Sequence, residues 1–165
     1  MEKTYEPELF KFAVVCGLKD SLYDKLEEKD EEKSEELGMS MYVVHSCIAE
    51  FGLAEEYIKY TSEISGIDSA PFFKNMVEGN NKNKETITLN RIFSYVLAKS
   101  LRYEVALHQF EKDGSNVEEL KFRRVQKKTL NGFIVYLGKT EEYLNYLQKY
   151  ADIAKEMLGI LQNKE

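Results

Sequence analysis

The sequence predicts an all-α chain, a single-domain bundle of about six helices over residues 1–165. Three observations predict it. The stretch Thr86–Phe110 has no Gly and no Pro, and Leu89, Phe93, Val96, Tyr103, Leu107 and Phe110 recur at gaps of three and four, interrupted at Ser100. Nine glycines and two prolines leave little turn chemistry for a sheet, and no segment alternates apolar and polar residues for long. Hydrophobic residues at 43% and charged residues at 32% suit a soluble globular chain, and 165 residues suffice for one core.

The first helix is expected near Pro7, a good first-turn residue, with Phe10, Ala13, Val14, Leu18, Leu22 and Leu26 as its buried stripe. Glu27–Glu36 is almost entirely charged and reads as a solvated loop or frayed helix end. A second helix is expected over Gly38–Ile64, with Met41, Val44, Ile48, Phe51, Leu53 and Tyr57 among its core residues and Gly66 after its end. Asp68-Ser69-Ala70-Pro71 caps a short helix through Phe73 to Val77, and Glu78–Glu85 is a polar loop.

Thr86–Phe110 forms the central helix, capped by Thr86 and ended at Gly114. Ile92, Leu97, Leu101 and Val105 widen its apolar face, so neighbours are expected on most sides. Arg91, Arg102 and Gln109, with Lys99 at the edge, leave one mostly basic strip. Ser115-Asn116-Val117-Glu118 is a capping box opening the next helix. That helix carries Lys121, Arg123, Arg124, Lys127 and Lys128, and its apolar end Phe133–Leu137 is expected to be buried before Gly138. Thr140 caps the last helix, with Glu141 and Glu142 at its positive end. The short link makes the last two helices an antiparallel hairpin.

Net charge is −6, unevenly spread. Residues 1–70 hold 7 Lys+Arg against 17 Asp+Glu, residues 71–131 hold 12 against 7, and residues 132–165 hold 4 against 5. An acidic total argues against non-specific nucleic-acid binding by the whole surface, while the basic middle allows a local site for phosphate or for an acidic partner. Nothing approaches about 18 uninterrupted apolar residues, so no membrane contact is expected, and the acidic N-terminus lacks a signal-peptide pattern. Cys16 and Cys47 lie in apolar helical segments and read as buried thiols of a reducing cytoplasm; a disulfide between them is not required.

No cofactor or metal is expected. His45 and Cys47 face different directions, and two histidines in the chain argue against zinc. Glu50, Glu55 and Glu56 lack the Glu-x-x-His partners of a di-metal carboxylate site. Phosphate loops, G-x-S-x-G and C-x-x-C are absent from the sequence. Two candidates remain. Lys121, Arg123, Arg124, Lys127 and Lys128, with Arg91, Lys99 and Arg102 on the preceding helix, have the pattern of an RNA phosphate-backbone track or of a solvated face. Arg102 and His108 match the loose Arg-x(4–6)-His pattern that resembles the helical, dimeric HEPN ribonucleases; alternatively, Glu104 and His108 pair along the helix.

Thr140-Glu-Glu-Tyr-Leu-Asn-Tyr-Leu-Gln-Lys-Tyr-Ala151, followed by Met157-Leu158, resembles the last helix of the small subunit of type III-B (Cmr) CRISPR effector complexes. That family tends to show there Thr, an acidic residue, Leu, an aromatic, a basic residue, an aromatic-Ala pair and Met-Leu. Phe12-Ala13 matches an aromatic-Ala pair early in the family. The second helix departs, with His45-Ser46-Cys47-Ile48 where the family often has Asn-Gly-Leu, so the resemblance covers the two ends of the chain. It implies a compact helical bundle without catalytic residues. Such a bundle stacks with copies of itself and with other CRISPR effector subunits along guide and target RNA, and binds RNA backbone through basic patches while other subunits cut. Beside it stand two alternatives: a HEPN-like ribonuclease, and a helical protein-interaction module whose basic face docks an acidic partner.

Overall fold

The structure, a computed structural model, describes residues 2–74, 76 and 86–162; of residues 154, 155 and 157–162 only the backbone is described. Among these residues there are seven helices and no strand: α1 Glu6–Asp24, α2 Glu31–Glu50, α3 Ala54–Ser65, α4 Ala70–Phe73, α5 Leu89–Asp113, α6 Val117–Tyr136 and α7 Thr140–Gln162. The expected loop Glu78–Glu85 and the expected helix end at Val77 lie outside the described residues. No helix among the described residues is long and apolar enough to cross a membrane.

The acidic run divides between loop and helix. Asp30 caps α2, its carboxylate accepting from Glu32 N at 3.0 Å and Lys33 N at 3.4 Å. Glu31 and Glu32 then sit in the first turn, where the helix dipole favours carboxylates. Glu31–Glu36 is therefore ordered helix, against the expectation of a loop or frayed end.

The single helix expected over Gly38–Ile64 is broken into α2 and α3. Gly52 takes φ 71°, Gly52 N donates to Ala49 O and Leu53 N to Ile48 O, a Schellman stop that glycine accommodates without strain. The same pair of bonds closes α6 at Gly138, with Gly138 N on Val135 O and Lys139 N on Ile134 O. Thr88 rather than Thr86 caps α5, accepting from Arg91 N at 3.4 Å. The Ser115–Glu118 capping box does not form: Asn116 precedes α6 at φ 60°, and Ser115 N donates to Asp113 Oδ1. Thr140 is already the first residue of α7.

α2 and α6 form the centre, with α1 against α2 and α5 against α6. Leu9, Ile48, Leu53, Ile87, Leu130 and Ile134 are fully buried between them. The chain before α5 is pinned to the start of α1, where Tyr5 N donates to Ile87 O and Ile87 N to Glu6 Oε1, each at 3.0 Å. Tyr143 of α7 packs against Phe93 with ring centres 5.2 Å apart, and α7 is exposed from Gln148 through Ile153. Cys16 and Cys47 are both free thiols and buried.

Three apolar stretches expected in the core face water. On α1 the buried face is Leu9, Phe10, Ala13 and Cys16, whereas Leu18, Leu22 and Leu26 are 56%, 63% and 52% exposed. At about 100° per residue Leu18 and Leu22 lie nearly opposite that buried face, so one stripe could not hold both sets. On α5 Phe93, Val96, Lys99 and Ala106 are buried, whereas Leu101 and Val105 lie nearly opposite that face and are exposed, as is Phe110 near the helix end. At the end of α6, Phe133 and Ile134 are buried while Val135 and Tyr136 are not.

Candidate functional site

The basic residues of α6 do not form one track. Lys121 and Lys128 turn toward α2, where Lys121 Nζ meets Glu35 Oε2 and Lys128 Nζ meets Glu36 Oε1, each at 2.6 Å. Lys127 reaches α5, with Nζ 2.9 Å from Glu104 Oε1 and 4.9 Å from the centre of the Tyr103 ring. Arg123 stays on its own helix: Nε bonds Glu119 at 2.7 Å, Nη1 donates to Gln126 Oε1 at 2.9 Å, and the guanidinium lies over Phe122. Arg124 is exposed and makes no ion pair with any described residue.

The electrostatics follow these pairs. The hydrogen bond from Lys128 holds the Glu36 carboxyl below its usual range, and Lys33 and Arg124 add their fields. The hydrogen bond to Glu35 raises the Lys121 ammonium. In sequence the α6 cluster has no acid between Lys121 and Lys139. In space it draws acids from the N-terminal turns of α2, 86 and 92 positions away.

On α5 the expected strip is discontinuous. Arg91 sits in the first turn, its Nη1 donating to Thr86 O at 3.2 Å. Lys99 is 7% exposed and belongs to the interior: its Nζ bonds Glu50 Oε1 at 3.1 Å and lies 5.1 Å from the Tyr95 ring centre. That placement removes Lys99 from any surface track, because its ammonium turns inward to Glu50 at the end of α2. Arg102 is exposed, forms no ion pair with a described residue, and lines a shallow depression of about 250 Å³ with Leu101, Val105 and Gln109 of α5 and Glu119 and Arg123 of α6.

Arg102 and His108 are both exposed on the uninterrupted α5, which keeps them about 120° apart around its axis. Glu104 bonds Lys127 rather than His108. Among the described residues no group of three or more His, Cys, Asp and Glu is placed to hold a metal ion. The Cys16 thiol is pushed up by burial, as is that of Cys47, so both stay protonated and are poor nucleophiles.

One feature is not legible from spacing. Between α1, α2 and α6 runs a half-open groove of about 410 Å³. Phe12 and Val15 line one side, Leu37 the second, and Val125, Val135 and Tyr136 the third. At its base Ser40 and Thr129 share a hydrogen bond of 2.8 Å, which satisfies both hydroxyls. Lys19, Lys33 and Lys128 stand at its edges with Glu36 as the acid among them. The sequence marks Lys128 within its own helix but does not join it to Lys19 and Lys33, since the three come from three helices.

Compared with known proteins, the chain matches no family model, and neither a curated protein nor a solved structure is similar enough to count as a relative.

Proposed function

We propose that this chain is a non-catalytic, RNA-backbone-contacting subunit of a cytoplasmic ribonucleoprotein, of the kind its two ends resemble: the small subunit of type III CRISPR effector complexes. The observation that carries the reading is the pair of exposed arginines, Arg102 on α5 and Arg124 on α6, without ion-pair partners among the described residues. An arginine fork left open to solvent is available to phosphate at little cost in lost protein contacts. Around them Lys121, Arg123 and Lys127 hold exposed carboxylates and Lys128 the half-buried Glu36, and such surface pairs are weak enough to exchange for a polyanion. Arg91 extends the basic edge toward the start of α5; Lys99 contributes nothing to it. Guide and target RNA, neighbouring effector subunits and copies of this chain are the partners this reading requires.

The test is RNA retention by the assembled complex with Arg102→Glu and Arg124→Glu together. Backbone contacts fix position without reading bases, so retention of unrelated RNA sequences should fall alike. The salt slope should flatten by about 0.7 to 0.9 for each lost phosphate contact. Because neither arginine holds an ion pair with a described residue, the fold should be unaffected. Unchanged retention and unchanged slope would leave these cations as ordinary solvated surface and end the reading.

A further inference from the structure

We propose that the α1–α2–α6 groove docks an acidic amphipathic helix supplied by a partner protein. The inference is independent of RNA contact by Arg102 and Arg124.

Shape comes first. The α6 wall runs from Val125 to Tyr136, and at about 1.5 Å per residue that is a length of roughly 16 Å, or three helical turns. Three turns present apolar anchors at i, i+4, i+7 and i+11, and the walls offer Phe12, Val15, Leu37, Val135 and Tyr136 to receive them. Val135 is 65% exposed and Val15 36%, and the apolar surface of α1 continues outward to Leu22. Such a row on a soluble chain marks a surface that something covers. The walls are helices whose backbone groups are already bonded internally, so no open strand edge is available to an extended peptide. An occupant with its own backbone satisfied, a helix, fits this groove.

Charge specifies the occupant. The groove edges carry Lys19, Lys33 and Lys128 against Glu36, and Arg124 one turn from Lys128 adds its field at Glu36. This positive mouth lies on a chain of net charge −6, and Lys19 and Lys33 come from its most acidic third. Carboxylates flanking an apolar stripe would meet these cations while the stripe covers the walls. RNA is disfavoured here because phosphate would be brought against apolar walls without compensating bonds.

The experiment uses a synthetic helix of about 14 residues, hydrocarbon-stapled, with Leu at the four anchor positions and Glu flanking them. It is titrated into the isotope-labelled full chain and followed by amide chemical shifts. Two peptide controls carry Lys in place of Glu, or the same composition scrambled to destroy the apolar stripe. A fourth arm uses oligouridine RNA. Saturable shifts confined to α1, the start of α2 and α6, with the acidic peptide alone, are the expected result. Val135→Glu should weaken that binding by about tenfold or more. Leu101→Glu, on an equally exposed site of α5 away from the groove, should not. No binding by the acidic peptide, equal binding by the lysine or scrambled peptide, shifts elsewhere, insensitivity to Val135→Glu, or oligouridine occupying the groove instead would each overturn the proposal. RNA retention lowered by Arg102→Glu alone, which lies outside the groove, with peptide binding intact would uphold the two readings separately.

Discussion

Lys121 of α6 and Glu35 of α2 meet at 2.6 Å across 86 positions of sequence. The next residue of α2, Glu36, takes Lys128 at the same distance. The two pairs make the acidic N-terminal turns of α2 the local counter-charge of the basic helix.

The Lys128–Glu36 pair should be a modest, salt-sensitive contributor. Lys128 is largely exposed, so about 0.2–1 kcal/mol is expected from a double-mutant cycle of Lys128→Ala and Glu36→Ala, shrinking in 1 M salt. The pH dependence has a defined sign. The Glu36 carboxyl is depressed in the folded state, so the contribution is present above its ordinary value of 4.5 and is lost as pH falls through the lowered value. Urea denaturation of the wild type and Lys128→Ala should therefore converge in acid. A gap that persists once Glu36 is protonated would mean the lysine stabilises by something other than this pair.

Lys99 and Glu50 tie α5 to α2 from the inside, and their two deletions should differ. The Lys99 side chain is 9% exposed and that of Glu50 35%. Glu50→Ala strands a buried ammonium and should cost about 3 kcal/mol. Lys99→Met keeps the packing and leaves Glu50 some access to water, so about 1 kcal/mol is expected. Equilibrium denaturation of both variants measures the order, and an equal or reversed order would contradict this account of the pair.

His45 gives the fold a pH response of its own. The imidazole stacks on Phe72 with ring centres 4.9 Å apart, lies against Tyr57 and Phe73, and burial lowers its pKa from 6.5 to about 4. Between those values the unfolded chain binds a proton that the folded chain does not, so stability rises with pH in this window and falls on acidification. The loss from pH 6.5 to about 4 should reach up to about 3 kcal/mol. His45→Phe keeps an aromatic ring in the stack and removes the titration. Its denaturation midpoint should be flatter over this range than that of the wild type; parallel profiles would show that His45 titrates normally.

The helices were legible in the sequence because apolar spacing and absent turn residues are local signals. Gly114 and Gly138 end their helices as expected, since a left-handed stop is written in a single residue. Gly52 carried the same signal but sat inside a long apolar run that reads as continuous helix. Burial was less legible. Leu18, Leu22, Leu101 and Val135 have the hydrophobicity of core residues, and periodicity cannot say which of two apolar faces meets a neighbour. The basic cluster was visible, but its counter-ions at Glu35, Glu36 and Glu104 were not, because charge pairing across helices depends on packing. The groove was hidden for the same reason, being assembled from α1, α2 and α6.

Arg102 and His108 allow a direct check on catalysis. Metal-independent cleavage of RNA requires a base and a cation converging on one phosphate, within hydrogen-bond reach of the reacting atoms. On the unbroken α5 the two side chains leave the axis about 120° apart, and the carboxylate next to them, Glu104, is engaged with Lys127. Neither side chain is buried, so no enclosed site holds them toward a common point. The purified chain should therefore leave labelled single-stranded RNA intact over hours, without and with added divalent metal. Arg102→Ala and His108→Ala should be indistinguishable from wild type in that assay, while Arg102→Ala should still lower RNA retention in the assembled complex. Cleavage by the wild type that disappears with either substitution would replace the non-catalytic reading with the HEPN-like one, the two groups then meeting across a pair of chains rather than within one.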